Sequence, residues 1–157
     1  MKNNINFSLV NIVSIPSLFE HGIVEYHVEK IGNNRPDSMW LKTGNNAIIK
    51  LSTSINEFDN WDEIGSLCLE VTEAGSFNNS MTTLDKSWLK VRRISKLVLI
   101  DESIRVECGL KIENEKCQTM IFLPSSFPNA VEMQSDFYLE NFEPECSIED
   151  YLDEICE

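Results

Sequence analysis

His21, Glu25 and His27 fall on one short segment, and imidazole and carboxylate are both zinc-ligand chemistries. On an extended chain Glu25 and His27 share the polar face opposite Tyr26, and a closed zinc site needs four converging donors. Two or three groups on one strand therefore read as an ordinary wet face. Cys68, Cys108, Cys117, Cys146 and Cys156 are odd in number and show no C-x-x-C spacing, so reduced thiols are expected. The chain has no G-x-S-x-G, and its six glycines are scattered with no phosphate-cradling loop. Carboxylates are plentiful, yet nothing singles out two of them for glycosidase-type acid–base work. No catalytic residue, metal or cofactor is expected, and the chain does not read as an enzyme.

The carboxylates carry the strongest signal. Residues 101–157 hold 3 basic and 15 acidic side chains, whereas residues 1–100 hold 10 basic and 11 acidic. From Glu132 to Glu157 there are ten carboxylates and no lysine or arginine. Such concentration costs stability through self-repulsion and speeds encounter with a basic partner. Phe137, Tyr138, Leu139, Phe142, Ile148, Tyr151 and Leu152 interleave with the acids, so the segment reads as ordered. The candidate partner-binding residues are Glu143, Glu145, Glu149, Asp150, Asp153 and Glu154; the plainer reading is a solvated helix face. A second acidic–aromatic cluster, Phe58, Asp59, Trp61, Asp62 and Glu63, supplies further candidates. Its plainer reading is an amphipathic helix with the rings inside. Lys86, Lys90, Arg92, Arg93 and Lys96 tempt a nucleic-acid reading, which the net charge of −13 opposes. They read instead as the wet face of a strand, paired to Glu107 or Glu113 on its neighbour.

The elements that must position these groups are mainly strands. Length and a 42% hydrophobic content predict a single domain over 1–157. The expected fold class is α+β, mainly an antiparallel meander with a short acidic C-terminal helix and one further short helix. Ile104, Val106, Cys108, Leu110 and Ile112 alternate with Arg105, Glu107, Gly109, Lys111 and Glu113, which predicts one buried and one wet face. Leu89–Ile100 precedes this strand through a turn at Asp101–Ser103; Cys117–Leu123 follows through Asn114 and Glu115. Pro124 to Asn129 breaks the sheet, and Ala130–Gln134 resumes it. Earlier strands are expected at Phe7–Ile15, His21–Ile31, Met39–Lys42, Ala47–Ser52 and around Leu67–Thr72, with an exposed loop over Glu73–Asp85. Ser147 caps the C-terminal helix, whose stripe is Ile148, Tyr151, Leu152 and Ile155. Ser54 and Glu57 match a capping box for the second, with Gly65 as its stop. No 18-residue apolar run and no signal-peptide pattern is seen, so a cytoplasmic protein is expected.

The segments Cys108-Gly-Leu-Lys-Ile112, Ile121-Phe-Leu-Pro-Ser-Ser-Phe-Pro128, Phe142-Glu-Pro-Glu145 and Ile148-Glu-Asp-Tyr151 make a recurrent kind of ending. It resembles that of small acidic immunity proteins of bacterial polymorphic-toxin systems, including contact-dependent growth inhibition. The resemblance covers the last third of the chain. It implies a cytoplasmic protein that binds a cognate toxin domain and covers its active site; separately, a monomer or dimer is expected. Many such toxins are nucleases with basic clefts, and a carboxylate surface there would exclude nucleic acid without binding it. Two alternatives are a nucleic-acid mimic acting on a DNA- or RNA-processing protein, and a small ligand-binding or enzymatic β domain with a pocket lined by His21, His27 or a cysteine.

Overall fold

The computed structural model describes residues 3–31, 35–57, 63–73, 75 and 77–156. The strands in chain order are β1 (Asn3–Ile5), β2 (Ser8–Val10), β3 (Ile23–Ile31), β4 (Arg35–Thr43), β5 (Ala47–Glu57) and β6 (Glu63–Glu73), then β7 (Thr82–Thr83) and β8 (Val91–Ile100). They continue with β9 (Ile104–Asn114), β10 (Thr119–Pro124), β11 (Val131–Gln134) and β12 (Leu152–Ile155). A single helical turn, α1 (Ile15–Leu18), and two short 3-10 turns are the only helical elements with named bounds among the described residues. The fold is thus α+β, dominated by antiparallel sheet. No described helix is long and apolar enough to cross a membrane.

One sheet has the order β11-β10-β9-β8-β12, with β1 added in parallel to β9. The other runs β2-β6-β5-β4-β3-β7, with β2 parallel to β6. The meander β8 to β11 follows the predicted strand order. Its turns are made by side-chain acceptors: Asp101 Oδ1 takes the N–H groups of Ser103 and Ile104, and Asn114 Oδ1 those of Lys116 and Gln118. Met39, Leu41, Ile49, Leu51, Leu67 and Leu69 from one sheet meet Ile94, Leu110, Ile112, Met120, Phe122 and Val131 from the other in a shared core. Each such side chain contributes about 1.5–3 kcal/mol by leaving water.

The long alternation of β9 does not bury a single face. Leu97 pairs with Gly109 and Val98 with Glu107, so Cys108 is an extra residue opposite β8. This bulge reverses which side faces the core. Leu110 and Ile112 enter the core between the sheets, whereas Ile104, Val106 and Cys108 join a second cluster with Leu97, Ile121, Leu123 and Tyr151. Ile121 and Leu123 alternate with Met120 and Phe122, which places the second cluster on the outer face of that sheet. Burial there pushes the Cys108 thiol up to about 12. Glu107, expected to be wet, is instead only 4% exposed. Its Oε1 accepts the Phe7 N–H at 2.9 Å, and its Oε2 lies 2.6 Å from Lys96 Nζ and 3.8 Å from Arg105 Nη1. Phe7 is where the chain crosses from β1 in one sheet to β2 in the other. The buried carboxylate therefore clasps that crossing.

Only part of the basic stretch is strand surface: Arg92, Arg93 and Lys96 lie on β8, whereas Lys86 opens the 3-10 turn Lys86–Leu89 and Lys90 follows it. Arg92 pairs with Glu113 at 3.4 Å and Lys96 with Glu107, the two neighbours named from the sequence. The expected N-terminal strand Phe7–Ile15 is broken: Asn11 adopts a left-handed φ of 61°, and Ser14 caps α1 by accepting the Ser17 N–H.

Candidate partner-binding surface

The acidic C-terminal segment is ordered: Phe137 and Tyr138 pack against the shared core, Phe142, Cys146 and Tyr151 join the outer cluster, and Leu152–Ile155 enters the sheet beside β8. Glu143 to Glu145 lie antiparallel to the end of β10: Ser126 N–H donates to Glu143 C=O, and Glu145 N–H donates to Pro124 C=O, both at 2.9 Å. The Glu143 N–H in turn donates to Glu132 Oε1 at 2.8 Å. The expected C-terminal helix is one 3-10 turn, Ile148–Asp150, without a side-chain cap from Ser147. Tyr151 then turns inward, its hydroxyl accepting the Cys146 N–H at 3.2 Å. Leu152–Ile155 is strand, antiparallel to β8 from Leu152↔Val98 to Ile155↔Ser95. Four apolar residues in eight fit a helical stripe, but the open edge of β8 supplies backbone hydrogen bonds that an isolated two-turn helix lacks.

The six C-terminal candidates do not form one patch. Glu143, Glu149 and Asp150 are exposed. Asp153 and Glu154, consecutive on a strand, point to opposite faces: Asp153 pairs with Lys111 at 3.1 Å, and Glu154 pairs with Arg105. Glu145 is half-buried elsewhere, its carboxylate accepting the Gly65 N–H at 3.0 and 3.3 Å. Of the second cluster, Phe58, Asp59, Trp61 and Asp62 lie outside the described residues. Glu63 opens β6, is exposed, and stands opposite Glu57 in the β5–β6 register. The helix expected from Ser54 is absent at its described ends. Ser54–Glu57 completes β5, and Ile64 and Gly65 belong to β6, because eleven consecutive cross-strand pairs outweigh a capping box.

One residue of each acidic cluster, Glu63 and Glu145, comes to the same place. Glu63 and Glu145 line one cleft of about 150 Å³ between the β5–β6 strands and the Pro124–Ala130 connection. Gly65 makes this approach possible, since a Cβ there would lie 2.7 Å from Pro124 Cβ. Ile55 and Phe127, 40% and 41% exposed, add apolar surface to its lining. Thr53 also lines it, and Thr53 Oγ1 is buried with no hydrogen-bond partner among the described residues. Desolvation raises the pKa of Glu145, the Gly65 N–H opposes that shift, and the negative charge of Glu63 adds to it. No cationic side chain pairs with Glu145 among the described residues. Sequence reasoning singled out Glu63 and Glu145 but missed Thr53, Gly65 and Phe127. The break at Pro124 was its one visible signal.

The histidines take structural places. His27 packs against Trp40 and Phe77 at ring distances of 5.7 and 5.5 Å, His21 is exposed, and Glu25 pairs with Lys42 at 3.2 Å. No group of three or more His, Cys, Asp or Glu able to hold a metal occurs among the described residues. All five cysteines are unpaired thiols. Comparison with family models, with curated proteins and with solved structures gives no match.

Proposed function

We propose that this protein acts by binding: it is a cytoplasmic immunity protein that covers the basic active site of a cognate toxin domain, in the first instance a nuclease. The observation that carries this reading is the meeting of two carboxylates remote in sequence, Glu63 and Glu145, around a cleft with exposed Ile55 and Phe127. An interface of this kind combines an apolar anchor with carboxylates, so that charge steers encounter and the apolar contact retains the partner. The resemblance of the C-terminal third to acidic immunity proteins supports the same partner class. Nucleic acid itself would be repelled by the net charge of −13. In this reading the protein has no turnover of its own.

Co-expression with a candidate toxin domain tests the proposal. Co-purification, with association that slows as salt rises while dissociation changes less, is expected. Association insensitive to salt, or inhibition without a complex, would refute it. A nucleic-acid mimic would instead need carboxylates spaced along an extended surface; the opposed faces of Asp153 and Glu154 argue against a single such row.

A further inference from the structure

We infer that the cleft lined by Ile55, Pro124, Phe127 and Glu145 is a socket for one lysine or arginine side chain of the protein partner, with Glu145 receiving its charged head. The inference rests on the binding reading above and specifies what enters this part of the surface.

Two independent features fit that occupant. The first is charge. Glu145 is drawn out of water by the strand pairing that fixes its backbone to Pro124, and a desolvated carboxylate is costly unless a cation accompanies it. One backbone N–H, from Gly65, meets part of its hydrogen-bonding capacity. Glu63 adds a second negative charge to the same cleft. The second is shape. Lysine and arginine carry apolar stems, which suit Ile55, Pro124 and Phe127, while their heads seek carboxylate. A cavity of about 150 Å³ has room for one benzene-sized group, so a single side chain fits and a folded segment does not.

The geometry also says why this is not a site for an anion or a neutral sugar. Two carboxylates in so small a space repel the first. A neutral ligand would leave the charge of Glu145 unpaired, which is the dominant cost of the site.

The test uses the whole protein and short capped peptides, Ala-Arg-Ala and Ala-Lys-Ala, with Ala-citrulline-Ala as the neutral isostere of the first. Amide NMR shifts are followed during titration. The Gly65 amide should move saturably with the arginine or lysine peptide, and the citrulline peptide should bind about tenfold more weakly or less. Glu145→Gln, whose amide oxygen still accepts the Gly65 N–H, should abolish the difference. Glu102→Gln, in the β8–β9 turn, should leave binding intact. Equal binding of citrulline and arginine peptides, or undiminished binding by the Glu145 variant, would overturn the socket. If Gly65 stays silent while a toxin domain still binds with salt dependence, the socket is wrong and the binding reading survives. A responding socket on a protein that captures no basic partner would leave the socket and remove the toxin reading.

Discussion

Glu107 and Glu145 are both carboxylates that strand pairing has drawn away from water, and their surroundings differ. Glu107 has Lys96 at 2.6 Å, Arg105 at 3.8 Å and the Phe7 N–H at 2.9 Å. Glu145 has the Gly65 N–H, a nearby Glu63 and an open cleft. The first is a completed network that holds the chain crossing between the two sheets. The second is an incomplete one at the surface. Buried charge that is fully compensated serves the fold, whereas half-buried charge left short of a cation, at the mouth of a cleft, marks a place where another molecule completes it.

The largest effect should come from breaking the completed network. Glu107→Ala removes the acceptor of the Phe7 N–H and leaves Lys96 and Arg105 without their shared partner. Removing one member of a buried charge pair costs about 3–5 kcal/mol. Urea unfolding should show that loss as a lower midpoint with little change in slope. A variant as stable as the parent would mean that Glu107 is not holding the crossing.

Next in size is Gly65→Ala. The new Cβ would stand 2.7 Å from Pro124 Cβ and 3.4 Å from Glu145 Oε2, so β6 and the Pro124 connection must separate. Overpacking of this kind costs about 1–3 kcal/mol. Because Gly65 also donates to Glu145, peptide or partner binding should fall with it. Stability lost without any change in binding would separate the cleft from the interface.

Glu145→Gln should do the opposite to stability. Desolvation places the folded-state pKa of Glu145 above its ordinary value. Between the unfolded and folded values the unfolded chain has released its proton while the folded chain keeps it. Stability therefore falls as pH rises through that window, and the penalty is complete above the folded value. The glutamine variant lacks this penalty. Its urea midpoint at neutral pH should exceed the parent's, the two should converge below the ordinary glutamate range, and partner binding should weaken. Greater stability bought with weaker binding is the signature of a functional carboxylate. A less stable variant would make Glu145 a structural residue like Glu107.

The contrast also explains what could be read in the sequence. The β8–β11 meander was legible because its strands carry strong period-two patterning and its turns carry Asp101 and Asn114. The acidic C-terminal bias was plain from residue types. The cleft was not, because it depends on Gly65 meeting Pro124 and Glu145 across about 60 and 80 residues, and a single sequence holds no record of such pairing. The inward turn of Glu107 was hidden for a similar reason: the bulge at Cys108 is visible only as a slip against β8. Ile148 to Ile155 misled because so short an apolar pattern satisfies both periods, and tertiary pairing decided it.

The smallest effect separates exposed acids already paired inside the molecule from those that are exposed and available for steering. Asp153 and Glu154 pair with Lys111 and Arg105, and both pairs are partly solvated. Asp153→Asn and Glu154→Gln should each cost about 0.2–1 kcal/mol of stability, the range of exposed ion pairs. Each also removes one unit of negative charge and unmasks Lys111 or Arg105, so the slowing of association measures how near that face lies to the partner. Glu149→Gln with Asp150→Asn removes charge from the exposed 3-10 turn, where neither acid has an ion pair among the described residues. That double variant should keep its stability and slow association, by up to about tenfold at low salt if the turn faces the partner. Stopped-flow association at two salt concentrations reads the difference directly. Equal slowing by both pairs would mean that the whole acidic third steers as one field. Slowing by neither, with Glu145→Gln still defective, would confine the interface to the cleft.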